Sequence, residues 1–182
     1  MIEIKTDRLI LRPSILDDAT DIQKYFNNWE IIKWLKPPVP WPYPPNGAIE
    51  HLTAICKKES CNSFAILLPN KSTVIGTIRL ECFSDNNKVI AERGFCLDQN
   101  YWGSGLMSEA SAAVNDYAFI NTEIQKIIAF NAKNNIKSRK IKEAQGFIYK
   151  ETKTIDPSYH EGCAQEEEWE LTKEVWQNLA LK

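Results

Sequence analysis

Histidine is scarce in this chain: His51 and His160 are the only two in 182 residues. The five cysteines, Cys56, Cys61, Cys82, Cys96 and Cys163, include no C-x-x-C pair. Metal centres are built from clustered ligands of these two kinds, so no metal is expected. Long apolar runs are also lacking. None approaches the ~20 residues of a membrane-spanning helix, and the N-terminus shows no charged-then-apolar leader; the expectation is a cytoplasmic protein without a membrane partner. Positive charge is not in excess. A net charge of −2 gives no electrostatic basis for direct nucleic-acid binding. Two common phosphate motifs are missing as well: there is no G-x-x-x-x-G-K-S/T loop and no third glycine at dinucleotide-fold spacing.

What is present is the balance of an ordinary globular protein, 43% hydrophobic and 25% charged. The length suits one domain, residues 1–182, able to bury about two-thirds of the surface its unfolded chain exposes. An odd number of cysteines without a secretory signal points to reduced thiols. Cys82 and Cys96 fall in apolar strand-like runs and read as small core residues. Cys163 lies near His160, but on a Gly-containing loop that argues against a nucleophile–base pair.

Along the chain, residues 3–12 read as a strand with Ile4, Leu9 and Leu11 apolar. Asp17 or Asp18 can start a helix carrying Ala19, Ile22, Tyr25 and Phe26 on one face. The run Lys36-Pro37-Pro38-Val39-Pro40-Trp41-Pro42-Tyr43-Pro44-Pro45 excludes helix and central strand, because proline removes a donor and fixes φ. Asn46 can cap a helix holding Ile49, Leu52, Ile55 and Cys56. Strands are expected at 63–68 and 74–82, joined by a polar turn, then at 89–97. A helix follows the glycines at 103 and 105, with Leu106, Ala110, Ala113, Val114, Tyr117 and Ala118 at helical spacing. A short strand at 127–130, a helix at 136–145 and strands at 147–154 and 167–171 close the chain. This order suits a mixed α/β (α+β) domain with one central twisted sheet.

The most informative segment is Asn100-Tyr101-Trp102-Gly103-Ser104-Gly105-Leu106-Met107, which joins the strand at 89–97 to that helix. A strand that turns through Gly-x-Gly into a helix offers free N–H groups and the positive end of the helix dipole. Glycine lets a phosphate approach the backbone closely. The alternative is a tight turn with no ligand, and the glycines alone do not separate the two.

Four ordered motifs extend the reading. Thr6-Asp7-Arg8-Leu9-Ile10-Leu11-Arg12-Pro13 with Asp17-Asp18-Ala19, Gly76-Thr77-Ile78-Arg79-Leu80, Ala91-Glu92-Arg93-Gly94-Phe95 running into Tyr101–Gly105 and Glu109-Ala110, and Asn135-Ile136-Lys137-Ser138-Arg139 with Gly146-Phe147 together resemble the GNAT superfamily of N-acetyltransferases. Within it they resemble the RimJ/RimL-type branch, which acetylates protein N-termini and related amines. The resemblance covers nearly the whole chain and implies a single GNAT-like domain with helices on both faces of the sheet. It departs at Asn100, where Gln or Arg is usual, at Met107, where a small residue is usual, and at Lys142 and Gln145, normally apolar. Some members carry a catalytic Tyr where Lys142 stands. The acidic Glu166-Glu167-Glu168-Trp169-Glu170-Leu171 is also unusual.

The resemblance implies acetyl-CoA as co-substrate, with Phe95, Cys96 and Leu97 pairing their main chains with the pantetheine arm and residues 100–107 (Asn100, Tyr101, Trp102, Gly103, Ser104, Gly105, Leu106 and Met107) around the pyrophosphate. A backbone N–H near Leu97 would stabilise the oxyanion. Asn135 would touch the arm, and Ser138 would serve cofactor binding and the departing thiolate; helix capping is the competing role for both. Glu92 is the candidate base and substrate contact, or a loop-orienting group, with Glu81 and Glu168 as weaker alternatives. Trp34, Trp41 and Tyr43 would line the acceptor site or pin their loop. The acidic run either attracts a cationic acceptor or is a solvated strand edge. The acceptor is a protein N-terminal amine in the leading reading. A small amine is the alternative, and a non-catalytic acyl-CoA-binding module, suggested by the departures at Asn100 and Lys142, comes from another class. A monomer or homodimer is expected.

Overall fold

A computed structural model describes residues 2–36, 38–58 and 61–181. Pro37 and the side chain of Cys61 lie outside the described residues. The order of elements is β1 (Ile4–Lys5), β2 (Ile10–Pro13), α1 (Ala19–Phe26), α2 (Trp29–Ile32), α3 (Gly47–Cys56), β3 (Cys61–Leu67), β4 (Val74–Asp85), β5 (Lys88–Leu97), α4 (Leu106–Asn121), β6 (Ile124–Ala132), α5 (Ile136–Ala144), β7 (Ile148–Thr154), β8 (Gln165–Thr172) and α6 (Lys173–Ala180). Eight strands form one sheet in the order β1-β2-β3-β4-β5-β6-β8-β7. Every pair is antiparallel except β5 with β6. The sheet is thus the mixed α/β one expected, with helices on both faces.

Alternation along β3 shows how both faces become buried. Phe64 and Ile66 point into a core with Leu106, Ala110 and Val114 of α4. Ala65 and Leu67 point into a second core with Ile22 and Phe26 of α1, Ile32 of α2 and Leu52 of α3. Successive strand residues face opposite sides, so a strand sandwiched between helix layers is apolar throughout.

Several elements differ from the sequence expectation. Residues 3–12 are a hairpin rather than one strand, because Thr6 N–H and Oγ1 turn back onto the Leu9 carbonyl at 3.0 and 3.4 Å. Helix α2 has no counterpart in that expectation; Asn28 caps it by accepting from Glu30 N–H at 3.0 Å. Helix α6 has none either. Thr172 caps it, and Trp176 anchors it by donating to Asp116 at 2.7 Å and packing on Phe119. Asn46 precedes α3 without a side-chain cap bond. The acidic strand is not a solvated edge: β8 lies between β6 and β7, and Glu166 and Glu167 are buried. Among the described residues no helix is long and apolar enough to cross a membrane.

Asp18 does not cap α1 with its carboxylate, which turns instead to Arg12. The guanidinium forks onto both oxygens at 2.9 and 2.6 Å, and Ile15 N–H donates at 2.9 Å to the same group. The carboxylate is 4% exposed. Fixing the end of β2 against the start of α1 in this way makes Asp18→Asn cost about 3 kcal/mol, the usual order for breaking a buried pair. At ~2–4 °C per kcal/mol for a chain of this size, thermal denaturation should show a fall of roughly 6–12 °C. A fall below about 2 °C would show the pair to be ornamental.

Candidate functional site

The parallel ladder between β5 and β6 has four rungs, Val89↔Ile124, Ile90↔Lys126, Ala91↔Ile127 and Glu92↔Ile128, with a bulge after the first. It then stops. β5 continues to Leu97 alongside β4, and β6 continues to Ala132 alongside β8. Beyond Glu92 the two strands diverge, and the facing edges of residues 93–97 and 129–132 have no partner in each other. A cleft of about 1240 Å³ fills the divergence, and Glu92, Phe95, Cys96, Leu97, Asn131 and Ser138 are among its walls.

At the outer end of β5 the chain makes a short 3-10 turn, Gln99–Tyr101, and then passes through Gly103 (φ 75°) and Gly105 (φ 79°) into α4. L side chains rarely adopt such angles. A Cβ on Gly103 would meet no protein atom within 4 Å; the space beside it is open. Among the described residues the N–H groups of Gly103, Ser104, Gly105, Leu106, Met107 and Ser108 find no acceptor. Six free donors at a helix N-terminus, with glycine at the approach, fit a pyrophosphate. Two tethers hold this loop. The Trp102 indole donates to the Leu97 carbonyl at 2.8 Å. Glu109 accepts from Thr6 Oγ1 at 2.6 Å, Arg8 N–H at 3.0 Å and Arg8 Nε at 2.7 Å, while Arg8 Nη1 reaches the Ser104 carbonyl at 2.9 Å. The opening Thr-x-Arg motif is therefore a clamp on the loop.

The expected cofactor residues divide. Phe95, Cys96, Leu97, Tyr101, Trp102, Gly103, Gly105, Leu106, Met107, Asn135 and Ser138 line the cleft. Asn100 does not; its amide is tied to Asp98 at 3.0 Å. Ser104 turns its hydroxyl onto the Tyr101 carbonyl at 2.6 Å and also lies outside the lining. Lys137, whose Nζ sits 4.3 Å from the Trp102 ring, and Lys140 line the same end, and neither is among the residues the sequence singles out. Exposed lysines on a helix carry no signal in sequence that distinguishes them from solubilising charge. Asn135 caps α5 by accepting from Ser138 N–H at 3.1 Å. Ser138 Oγ accepts from Lys142 Nζ at 2.8 Å, which leaves the hydroxyl hydrogen free for another partner.

On the other face, Glu92 stands half-buried at the last rung, where the two halves of the cleft meet. Burial holds its carboxyl above the ordinary carboxylate range, Arg79 opposes this, and Glu81 and Glu166 reinforce it. Glu81 is engaged by Lys58 and held low, and Glu168 by Lys153 at 2.7 Å; neither lines the cleft. Glu166 does, held by the Tyr159 hydroxyl at 2.5 Å and Lys36 at 3.1 Å. Trp34 and Tyr43 are lining residues. Trp41 is not: it is 41% exposed and packs at a tilt against Trp29, ring centroids 5.5 Å apart, while Tyr43, two residues on, is buried. Cys163 donates to the Gln165 carbonyl at 3.2 Å and His160 Nε2 meets the Val39 carbonyl at 2.5 Å, so the two are not a catalytic pair.

Solved acetyltransferases share this fold. The ribosomal-protein-S5-alanine acetyltransferase from Vibrio fischeri superposes with a TM-score of 0.82 over 97% of this chain and 99% of that one, at 20% identity. RimL, the ribosomal L7/L12 α-N-protein acetyltransferase solved with coenzyme A, gives 0.81 over 94% and 98%, at 15% identity. In sequence, the chain is 29% identical over 143 residues to the uncharacterized N-acetyltransferase p20 of Bacillus licheniformis, covering 78% of this chain and 80% of that protein. The family model for the acetyltransferase (GNAT) domain matches residues 8–148, and the chain belongs to that family: it is a GNAT N-acetyltransferase.

If the loop holds phosphate through its backbone, a side chain at Gly103 would fill the ligand's space and strain the turn. Gly103→Ala should keep the fold, since no protein atom opposes the new methyl, while weakening acetyl-CoA binding at least about 10-fold by calorimetry, a loss of ~1.4 kcal/mol. Unchanged affinity in the folded variant would remove the phosphate from this loop.

Proposed function

We propose that this chain transfers the acetyl group of acetyl-CoA to the α-amine of a protein or peptide N-terminus. The observation that carries the reading is the position of Glu92, at the rung where the donor edge of β5 meets the opposite, aromatic half of the cleft. Acetyl-CoA lies along residues 93–97 with its pyrophosphate on residues 103–108, a placement supported by the unpaired strand edge and the six free N–H groups. The coenzyme A in the RimL structure and the acetyl-CoA and AMP in the microcin C7 self-immunity acetyltransferase MccE are consistent with that donor.

An amine attacks a thioester only when neutral. An α-amine of pKa ~8 loses its proton at pH 7 for about 1.4 kcal/mol, a lysine side chain for about 4.6. One half-buried carboxylate suits the smaller demand. Glu92 accepts the proton, directly or through water, as the C–N bond forms. Trp34 and Tyr43 supply rigid walls for the acceptor. A small-molecule amine is the second reading, favoured by the buried Glu166, which, though paired with Lys36, offers the acceptor side a second carboxylate able to accept from an amine. A binding module without turnover has less support, because Asn100 is a turn residue here and its departure from the family leaves the phosphate loop intact.

Glu92 must be ionised to act, and its carboxyl is held above the ordinary range, so activity should climb with pH across a higher window than a solvent-exposed glutamate would give. Glu92→Gln should lower kcat by about 100-fold at neutral pH, leave acetyl-CoA affinity unchanged and remove the Glu92 component of the acidic limb of the kcat/KM profile, leaving the rise set by the acceptor amine. A peptide-acetylation assay that finds the neutral-pH rate unaltered would assign Glu92 an orienting role instead.

A further inference from the structure

Two cations are buried on the α4–α5 side of the cleft with no carboxylate of their own. Arg93 is 2% exposed and Lys142 is 1% exposed. Arg93 Nη1 donates to Asn115 at 2.8 Å and Gln145 at 2.7 Å, but its Nε and Nη2 have no partner. Lys142 Nζ donates to Asn131 Oδ1 and Ser138 Oγ, each at 2.8 Å. Both flank the Phe95 ring, at 5.8 and 6.0 Å from its centroid. Among the described residues neither forms a salt bridge. The nearby acid, Glu167 of β8, is already engaged by Arg139 of α5 and by Asn131 at 3.0 Å.

Uncompensated buried charge is costly, and such groups are ordinarily paired. Burial pushes the Arg93 guanidinium down to about 9 and lowers the Lys142 ammonium well below its ordinary value; Arg93 depresses Lys142 further, and Glu167 resists. Both residues line the cleft. An anion arriving there would supply what the protein does not. The phosphates are accounted for at the glycine loop that follows β5, whereas Lys142 lies against Phe95, two residues before the strand ends.

We propose that Lys142, backed by Arg93, forms with Ser138 a seat for an anionic sulfur, the thiolate of coenzyme A. The proposal rests on acetyl-CoA being the donor. In the transfer step the amine nitrogen bonds to the carbonyl carbon, the C–S bond breaks and sulfur keeps the electron pair. The amine proton passes to Glu92 and then to water. Sulfur remains a thiolate, receiving a hydrogen bond from the Ser138 hydroxyl whose oxygen accepts from Lys142, and takes a proton from water on release. Lys142 reaches the sulfur only through Ser138, so it is a positioning residue.

The test is the ultraviolet absorbance of the thiolate during pH titration of coenzyme A bound to the folded protein, with binding followed in parallel by calorimetry. A thiol next to lysine or arginine ionises at lower pH, so bound CoA should titrate at least about one pH unit below free CoA. Lys142→Gln keeps a neutral donor and should return the thiol to its free behaviour; Lys142→Arg should retain the lowering. Bound CoA that titrates like free CoA in the unaltered protein overturns the proposal alone, whatever the variants do. Persistence of the lowering in Lys142→Gln also overturns it. Failure of CoA to bind at all overturns the acetyl-CoA reading and this proposal with it.

Discussion

The site depends on an interrupted ladder. Four parallel rungs join β5 to β6, and after Glu92↔Ile128 there are none. Backbone N–H and C=O groups are obligatory hydrogen-bonding partners, and a buried strand edge left bare is costly. β5 stays with β4 and β6 stays with β8, so each strand keeps one satisfied side and presents the other to the cleft. The bulge after the first rung leaves Gln125 of β6 unpaired and adds local twist to that strand. A ligand that can pair like a strand is what such an edge takes, and the glycine turn at the end of β5 offers phosphate-binding donors in line with it. The Thr6-Arg8-Glu109 clamp ties the start of the chain to the first turn of α4, beside the glycine loop that follows the strand edge.

The charges follow the two faces of the sheet. On the α1–α3 side, Glu92 and Glu166 stand with Lys36 and Tyr159 in a region able to receive an amine. On the α4–α5 side, Arg93 and Lys142 make the opposite environment. Adjacent residues of one strand, Glu92 and Arg93, point to opposite faces and so give the cleft an acidic half and a basic half. The acidic β8 is consistent with this division, because its glutamates are matched one by one: Glu166 by Lys36, Glu167 by Arg139, Glu168 by Lys153, and Glu170 by Lys126 and Lys150.

The sequence was most legible where local patterns and global structure agree. The helical spacing after Gly105, the β3–β4–β5 meander and the Gly-x-Gly turn carry their physics in neighbouring residues, and all appear where periodicity places them. What was not legible depends on partners distant in sequence. The break in residues 3–12 comes from a Thr6–Leu9 turn within an otherwise strand-like run. Helix α6 is short, and its anchor, Asp116, lies 60 residues away. The role of Arg8 is set by Glu109, 101 residues on. Among residues that line the cleft, Glu92, Ser138 and the glycine turn were readable because motifs surround them. The burial of Tyr43 and exposure of Trp41 were not, since proline-rich segments have no period. Lys142 was visible only as a departure from an apolar position, and its contact with Ser138 required the fold.

Hydrogen–deuterium exchange with and without acetyl-CoA reads the proposed donor site at its own atoms, because the proposed contacts are made by backbone N–H groups. Acetyl-CoA should slow exchange in two stretches, residues 93–97 and 103–108, while β3 and the β7–β8 pair stay unchanged. Saturating acetyl-CoA that protects neither stretch, or that protects only the α1–α3 side, would contradict the assignment of the open β5 edge as the donor site.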